Sequence, residues 1–261
     1  MKHLQKYKFY RDNLENLGLE KSEILENKKH HMKLLTDAIF VTENLFPKIY
    51  KALELAIKNL KLDIKPDLYI KPTPEINGLC HSTKSEKIII EITSGLIENF
   101  KINEISFIIG HEIGHKIFDH FAYPEVSENT IEAHKLNILQ LNRFSEISCD
   151  RVGLLACKSI DVALKAIIKL ASGLSDKHIN TNLVQYTEQY KEIRKKYLNK
   201  EMEEDFFHYD RHPSLPVRAR AIIKFEMSDI YYVWVNKKGK APFKIQDVDE
   251  LIYKDLKESG E

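Results

Sequence analysis

The chain has 261 residues, of which 43% are hydrophobic and 10% aromatic, so it can bury a sizeable core and extensive disorder is excluded. Its 40 Lys and Arg residues balance 39 Asp and Glu residues, so net charge favours neither nucleic acid nor an anionic membrane surface as a partner. No apolar run approaches the ~20 residues of a membrane-spanning helix, and the N-terminus does not resemble a signal peptide. Three cysteines are too few for a disulfide framework. We therefore expect a cytoplasmic protein with reduced thiols, no membrane insertion and no nucleic-acid partner.

Residues 1–62 have the periodicity of amphipathic helices. Apolar residues recur every three or four positions from Leu34 to Leu60, and Pro47 marks a break or a first helical turn. We interpret this segment as a helical layer packed on the core; a helix that binds a partner is the alternative.

The period changes between residues 63 and 92. Two β-rich segments, 68–70 and 87–92, are separated by turn signals at Pro72, Pro74 and Asn77-Gly78. This pattern predicts a small sheet with turns.

Helical patterns return from residue 95 to about 225. Segment 101–118 carries an apolar row at every fourth position after a cap at Asn103, and two more helices are predicted at 144–158 and 160–172. Beyond residue 226 we predict a strand at Tyr231–Val235, a turn at 236–239 and a final helix at 246–258.

These elements predict an α+β fold that is mostly α-helical, with a small antiparallel or mixed sheet and flanking helices. We divide the chain into an N-terminal helical segment (1–62), a central domain (63–225) and a C-terminal strand, turn and helix (226–261). Together they should form one compact unit.

The strongest chemical signal is His111-Glu112-Ile113-Gly114-His115, an HExxH motif within the predicted helix 101–118. Histidines four residues apart share one helix face, so both imidazoles can reach a single Zn²⁺ ion. Glu112 is offset by one residue and can stand beside the metal as a general base without being a ligand. The motif therefore predicts one zinc ion per chain, with His111 and His115 as ligands and Glu112 as the catalytic base.

A third ligand must come from elsewhere. The extended HExxHxxGxxH pattern fails, because positions 118 and 121 are Phe and His120 misses the required position by one. Glu146 is the best candidate, since a glutamate on a second helix completes a His₂Glu set with one position open to water. Asp150 follows one turn later on the same face. There it could accept a hydrogen bond from the imidazole N–H of a metal ligand, His111.

Gly110 and Gly114 support the close approach of such a second helix. Each costs about 1 kcal/mol relative to Ala in a helix interior. A notch that admits the neighbouring helix would account for both glycines.

The order of these motifs resembles that of the HtpX and CaaX-prenyl-protease family of gluzincin zinc metallopeptidases. The resemblance extends over residues 68–222: Asn77 to Cys80, an apolar strand at 88–92, the HExxH motif, Glu146-xxx-Asp150, and His212-Pro213 with Arg218. It implies a zincin-like catalytic domain. Prenyl proteases and HtpX carry membrane helices, so the likeness is to soluble members, and no prenylated substrate is inferred.

The resemblance also implies roles for individual residues. Glu146 is then the third zinc ligand, and Arg218 forms an ion pair near the Glu146-xxx-Asp150 motif. His212 lies over the metal, where it either stabilises the oxyanion or caps the zinc in a latent state, with His208 and Tyr209 as alternative donors. The segment Asn77, Gly78, Leu79 and Cys80 is the edge strand that binds substrate.

We therefore expect a zinc metalloendopeptidase that cleaves extended or unfolded polypeptide. Two alternatives remain: a catalytically silent metal-binding scaffold, which would not need Glu112, and a non-haem iron oxygenase, because two histidines and a carboxylate also form a facial triad. Cys149 is interpreted as a small buried helix residue; the alternative is a thiolate that holds the zinc in a latent state.

Overall fold

The computed structural model of the chain describes residues 1–22, 28–81, 87–179, 183–202 and 210–260. Within these ranges the chain forms ten α-helices: α1 (Lys28–Asp37), α2 (Pro47–Leu60), α3 (Ser94–Asn99), α4 (Ile102–Ile117), α5 (Glu132–Cys157), α6 (Ile160–Ser172), α7 (Glu188–Leu198), α8 (Leu215–Glu226), α9 (Asp229–Val235) and α10 (Ile245–Glu258). Short 3₁₀ helices lie at Lys2–Tyr7, Leu14–Leu17, His120–Ala122, Asp176–His178 and Leu183–Thr187. The prediction of a mostly helical α+β fold is confirmed.

A mixed sheet of four strands occupies one side of the described structure: β1 (Ile39–Phe40), β2 (Asp67–Lys71), β3 (Gly78–His81) and β4 (Ile89–Thr93). The spatial order is β1-β2-β4-β3; β4 is parallel to β2 and antiparallel to β3. Every residue of β4 is buried, because neighbouring strands flank it on both sides. Strand β3 is consequently an edge strand, and it packs against α4.

Helices α4 and α5 cross in close contact because glycines line the crossing. A Cβ atom added at Gly110 would lie 2.4 Å from the Cβ of Ala156, and one at Gly114 would lie 3.0 Å from the Sγ of Cys149. A Cβ at Gly153 of α5 would lie 2.8 Å from a phenylalanine ring of α4. Any larger residue at these positions would force the two helices apart. The notch predicted at Gly110 and Gly114 is confirmed.

The N-terminal segment is less helical than predicted for residues 1–62. It begins with two 3₁₀ helices, and only α1 and α2 are α-helical, with β1 between them. Leu4, Tyr7 and Phe9 are buried against the core. Much of the apolar pattern in this segment therefore comes from an irregular stretch of chain that packs on the core, not from a continuous helix. Pro47 does occupy the first turn of α2, as expected.

The prediction of a strand at Tyr231–Val235 was wrong, because this segment is helix α9. Ser228 caps the helix by accepting a hydrogen bond from the Tyr231 N–H, and Asp229 adds an acidic group in the first turn. Tyr231 and Trp234 are three residues apart and both buried, a spacing that places them on one face of a helix but on opposite faces of a strand. The helix cap and the packing therefore outweigh the β-propensity of these residues.

Three helix boundaries also differ from the sequence-based ones. Helix α5 begins at Glu132 rather than near residue 144, and α10 at Ile245 rather than 246. Helix α4 is capped at Lys101 instead of Asn103, because the Glu104 carboxylate accepts a hydrogen bond from the Lys101 N–H at 2.7 Å.

None of the helices in the described ranges combines the length and the apolar composition needed to cross a membrane.

Candidate metal centre

Helix α4 presents the HExxH side chains toward α5 and β3. The imidazole ring centroids of His111 and His115 lie 5.2 Å apart, as expected for positions one turn apart on a helix. His111 and Glu112 are buried. Because α4 packs against both α5 and β3, these side chains have few other orientations available.

The carboxylate of Glu146 on α5 faces both imidazoles. The distance from His111 Nε2 to Glu146 Oε2 is 3.4 Å, and that from His115 Nε2 to Glu146 Oε1 is 3.5 Å. Ligand atoms of a tetrahedral zinc ion with bonds of ~2.0–2.2 Å lie ~3.3–3.6 Å apart. Each imidazole therefore lies at a ligand-to-ligand distance from one oxygen of Glu146.

Asp150 orients the His111 ring. Its Oδ1 lies 2.9 Å from His111 Nδ1, which donates the hydrogen bond and leaves Nε2 free to face Glu146. Arg218 of α8 in turn holds Asp150 with two hydrogen bonds of 2.8 and 2.7 Å, and its Nη1 lies 3.2 Å from Glu146 Oε2. One buried guanidinium thus fixes both carboxylates of α5.

The charges of this cluster shift its pKa values in a way that suits a cation. Burial alone would raise the pKa of Glu146, but the charges of His111 and Arg218 hold it well below its usual value. Burial disfavours the charged form of His111, yet Glu146 and Asp150 outweigh it and raise the His111 pKa to about 10. The two carboxylates thus draw positive charge to the space between them, where a metal ion can take the place of a proton.

At the other two motif residues, His115 and Glu112, burial determines the direction of the pKa shift. It lowers the pKa of His115 to about 3, so that imidazole is neutral, as a metal ligand must be. It raises the pKa of Glu112 to about 7, with Glu146 adding to the effect. A carboxylate with that pKa can accept and return a proton near neutral pH.

A second group of donor atoms lies nearby. The Sγ of Cys149 and one nitrogen each of His111 and His115 lie within 4.8 Å of one another, so these residues could also hold a metal ion. However, Cys149 is fully buried, and burial together with the charge of Glu146 raises the pKa of its thiol well above the usual value. Metals bind the thiolate, so this thiol would have to release a proton on binding a metal. Glu146, by contrast, is already ionised beside both imidazoles.

Strand β3 lies directly beside Glu112. The backbone N–H of Cys80 donates a hydrogen bond to the Glu112 carboxylate, and a Cβ at Gly78 would lie 3.3 Å from Glu112 Oε1 and 2.9 Å from a methyl carbon of Ile108. Glycine at position 78 therefore allows the strand to approach the motif helix. Leu79 is half-exposed on the same edge strand.

Two cavities meet at the metal-binding side chains. One has a volume of about 370 Å³ and extends along β3, where residues 77–80 line it. The other, of about 510 Å³, extends in the other direction past Phe121 and Tyr123. Both are lined by His115, Glu146 and His212, so the cleft continues on both sides of the candidate metal position.

The remaining predicted residues lie where they can reach this cleft or fall outside the described ranges. His212 Nε2 is 3.7 Å from Glu146 Oε1, and the His212 side chain is 65% exposed. Asn77 lines the cavity beside β3. His208 and Tyr209, the alternative donors, lie outside the described residues.

Sequence reasoning missed a buried group of residues behind His115. His120 Nδ1 lies 3.1 Å from His115 Nδ1, and His120 Nε2 lies 2.9 Å from Asp12 Oδ2. Asp119 adopts a left-handed conformation (φ 60°) after the end of α4, which turns the chain so that His120 faces back toward the motif. His120, five residues after His115, was a visible signal in the sequence, whereas Asp12, 108 residues from His120, was not.

The fold and these side chains describe a mostly helical protein with an HExxH motif in a candidate metal centre, and comparisons with known proteins agree with that description. Residues 44–128 match the family model described as "Peptidase family M48". The matched region contains strands β2, β3 and β4 and the HExxH motif, but it contains neither Glu146 nor Arg218. It does not distinguish HtpX from the CaaX prenyl proteases.

A relative from Arabidopsis thaliana supports the same class. The plastoglobule-localized metallopeptidase 48, chloroplastic, is 25% identical to this chain over 150 residues, which cover 52% of this chain and 43% of that protein. The chain thus aligns with less than half of the relative's length. No solved structure gives a significant match. Both similarities are to metallopeptidases.

Proposed function

We propose that the chain is a zinc-dependent metalloendopeptidase that cleaves extended or unfolded polypeptide. The observation that carries this proposal is the position of Glu112, a buried carboxylate beside the His111–His115–Glu146 set and in hydrogen-bond contact with an edge strand. The similarity to metallopeptidases supports the hydrolytic reaction. The cytoplasmic location expected from the sequence stays a prediction.

In this proposal His111, His115 and Glu146 hold the zinc ion, and Asp150 and Arg218 keep His111 and Glu146 in place. Zinc, when bound, supplies a Lewis acid that polarises the substrate carbonyl and lowers the pKa of a water molecule. Glu112 accepts the proton of the attacking water and later donates it to the leaving amine. Its pKa of about 7 suits both transfers.

His212 is the proposed donor for the negative charge that develops on the substrate carbonyl oxygen. Its Nε2 lies on the same side of Glu146 as the cleft, and its high exposure leaves it free to adjust to a substrate. Removal of one such donor costs about 2.7–4 kcal/mol of transition-state stabilisation in comparable sites. The rival role, a cap on a latent zinc site, would instead increase activity when His212 is removed.

Strand β3 supports an extended peptide as the substrate. An edge strand has unpaired backbone groups, and a peptide chain that adds to it is held by main-chain hydrogen bonds. The cleft continues on both sides of the metal-binding residues, so residues before and after the cleaved bond can be accommodated. This geometry favours cleavage within a chain over removal of terminal residues.

The decisive experiment compares the wild type with Glu112→Gln on unfolded casein and a quenched peptide library. Chelator treatment should abolish wild-type cleavage and zinc should restore it, whereas Glu112→Gln should bind zinc normally and cleave nothing. A metal-binding scaffold predicts instead that no chelator-sensitive cleavage occurs in the wild type and that Glu112→Gln changes nothing. Metal analysis of protein purified without added metal tests the iron alternative, which predicts bound iron.

A further inference from the structure

The buried group behind His115 carries an inference about how the site is built, and it rests on the proposed role of His115 as a metal ligand. His115 meets Glu146 through Nε2 and His120 through Nδ1. His120 meets Asp12 through its other nitrogen, at 2.9 Å. A continuous chain of hydrogen bonds therefore runs from the candidate metal position to the N-terminal segment.

In this series of hydrogen bonds, the Asp12 carboxylate acts only as an acceptor. It is fully buried, and its Oδ1 accepts a hydrogen bond from the Tyr123 hydroxyl at 2.6 Å. Its Oδ2 accepts one from the Ser148 hydroxyl, also at 2.6 Å, and Ser148 Oγ itself accepts from the Phe9 N–H. A carboxylate that is held by two hydroxyl donors can only accept from His120 as well.

This arrangement fixes the tautomers of two histidines. Because Asp12 accepts, the proton of a neutral His120 must lie on Nε2, and His120 Nδ1 is then an acceptor. The Cys149 thiol approaches this acceptor at 3.6 Å and His115 Nδ1 approaches it at 3.1 Å. The shorter contact assigns the proton of His115 to its Nδ1. The Nε2 of His115 is left with its lone pair facing Glu146, which is the form a metal ligand needs.

We infer that Asp12 and His120 are positioning residues, which hold His115 in its metal-binding tautomer and orientation as Asp150 does for His111. The N-terminal segment is then part of the metal site rather than only a packing layer. Asp12 lies outside the residues that match the peptidase family. Each of the two histidine ligands would thus have its own carboxylate, one reached directly and one through a second histidine.

The test measures zinc affinity of metal-free protein by competition with a chromogenic chelator, so it does not depend on peptidase activity. Asp12→Asn and His120→Phe should each weaken zinc binding by about 10–100-fold, the range found when the groups that hydrogen-bond a metal ligand are removed. Because Asp12 acts through His120, the double variant should bind zinc no more weakly than His120→Phe alone.

Two matched variants control for general loosening of the fold. Asp255→Asn removes a buried carboxylate that pairs with Arg220, and His3→Phe removes a histidine that bonds the carbonyl of Leu60; neither contacts Asp12, His120 or His115. Both should retain wild-type zinc affinity. Equal weakening in the controls, or wild-type affinity in folded Asp12→Asn and His120→Phe, would overturn the inference.

Nitrogen NMR of the wild-type histidines provides a measurement that needs no variant. It should show the proton of His115 on Nδ1 and that of His120 on Nε2; the reverse assignment at either ring would overturn the inference even if the variants fail to fold. A wild-type protein that binds no zinc would refute the proposed metal site instead, while the tautomer measurement would still decide the hydrogen-bond chain.

Discussion

Substitution of Gly110 by Ala tests whether close helix packing sets the geometry of the metal centre. The new Cβ would lie 2.4 Å from the Cβ of Ala156, more than 1 Å inside the ~3.5–4.0 Å of an ordinary carbon contact. Alanine gains about 1 kcal/mol over glycine in helix propensity, but overpacking a dense core costs about 1–3 kcal/mol. With a clash this large between two backbones, we expect net destabilisation of about 2 kcal/mol.

The substitution should also weaken zinc binding. Helices α4 and α5 must separate to admit the methyl group, and the two helices carry the histidines and Glu146, whose atoms are 3.4–3.5 Å apart. Urea unfolding of the metal-free protein measures the first effect, which corresponds to a drop in melting temperature of ~4–8 °C for a chain of this size. Chelator competition measures the second.

A second-site change provides the control. Ala156→Gly in the Gly110→Ala background removes the atom that the new methyl group meets, so zinc affinity should recover. Stability should recover only in part, since the new glycine itself costs about 1 kcal/mol in a helix. If Gly110→Ala alone is as stable as the wild type and binds zinc equally well, the two helices do not depend on this contact and the reasoning is refuted.

Four other substitutions test single contacts of the site. Gly78→Val should lower the turnover rate more than ~10-fold while zinc stays bound, because the added side chain displaces Glu112. Steady-state kinetics and metal analysis measure these two effects. A rise in KM with an unchanged turnover rate would contradict the prediction. Arg218→Ala leaves two buried carboxylates without their cation and should cost about 3–5 kcal/mol in urea unfolding of metal-free protein; a loss below 1 kcal/mol would mean that solvent screens them. Cys149→Ala should leave zinc affinity unchanged while Glu146→Gln lowers it, and the reverse result would assign the third ligand to the thiol.

The parts of the site that residue spacing alone predicted lie within one helix or one helical face, whereas Arg218, His212 and residues 77–80 were predicted from the family resemblance. The HExxH spacing determines which side chains share a face of α4 whatever surrounds them. Glu146 and Asp150 are likewise one turn apart, and Gly110 and Gly114 pointed to the neighbour that brings the two helices together. These inferences needed only the helical period and the known preferences of a metal ion.

The contacts that the sequence did not predict depend on the path of the chain between elements. Asp12 lies between two 3₁₀ helices, in a segment whose pattern resembled an ordinary amphipathic layer. His120 reaches the motif only because Asp119 turns the chain through a left-handed conformation. Neither a period nor a propensity encodes such a turn, and the error at α9 has a similar origin: a cap at Ser228 decided between helix and strand.

The buried charges explain why the site needs so many supporting residues. Glu112, Glu146 and Asp150 are all buried, and each carboxylate would be costly to ionise without a compensating charge. Arg218 compensates two of them, and the cation that the ligands attract compensates the rest. At Glu112 burial outweighs the opposing charges of His111 and Arg218, which is why the pKa of this carboxylate rises to about 7. The same burial that makes the cluster costly therefore leaves one carboxylate able to transfer protons, and a variant that exposed Glu112 to water would lose that property before it lost the metal.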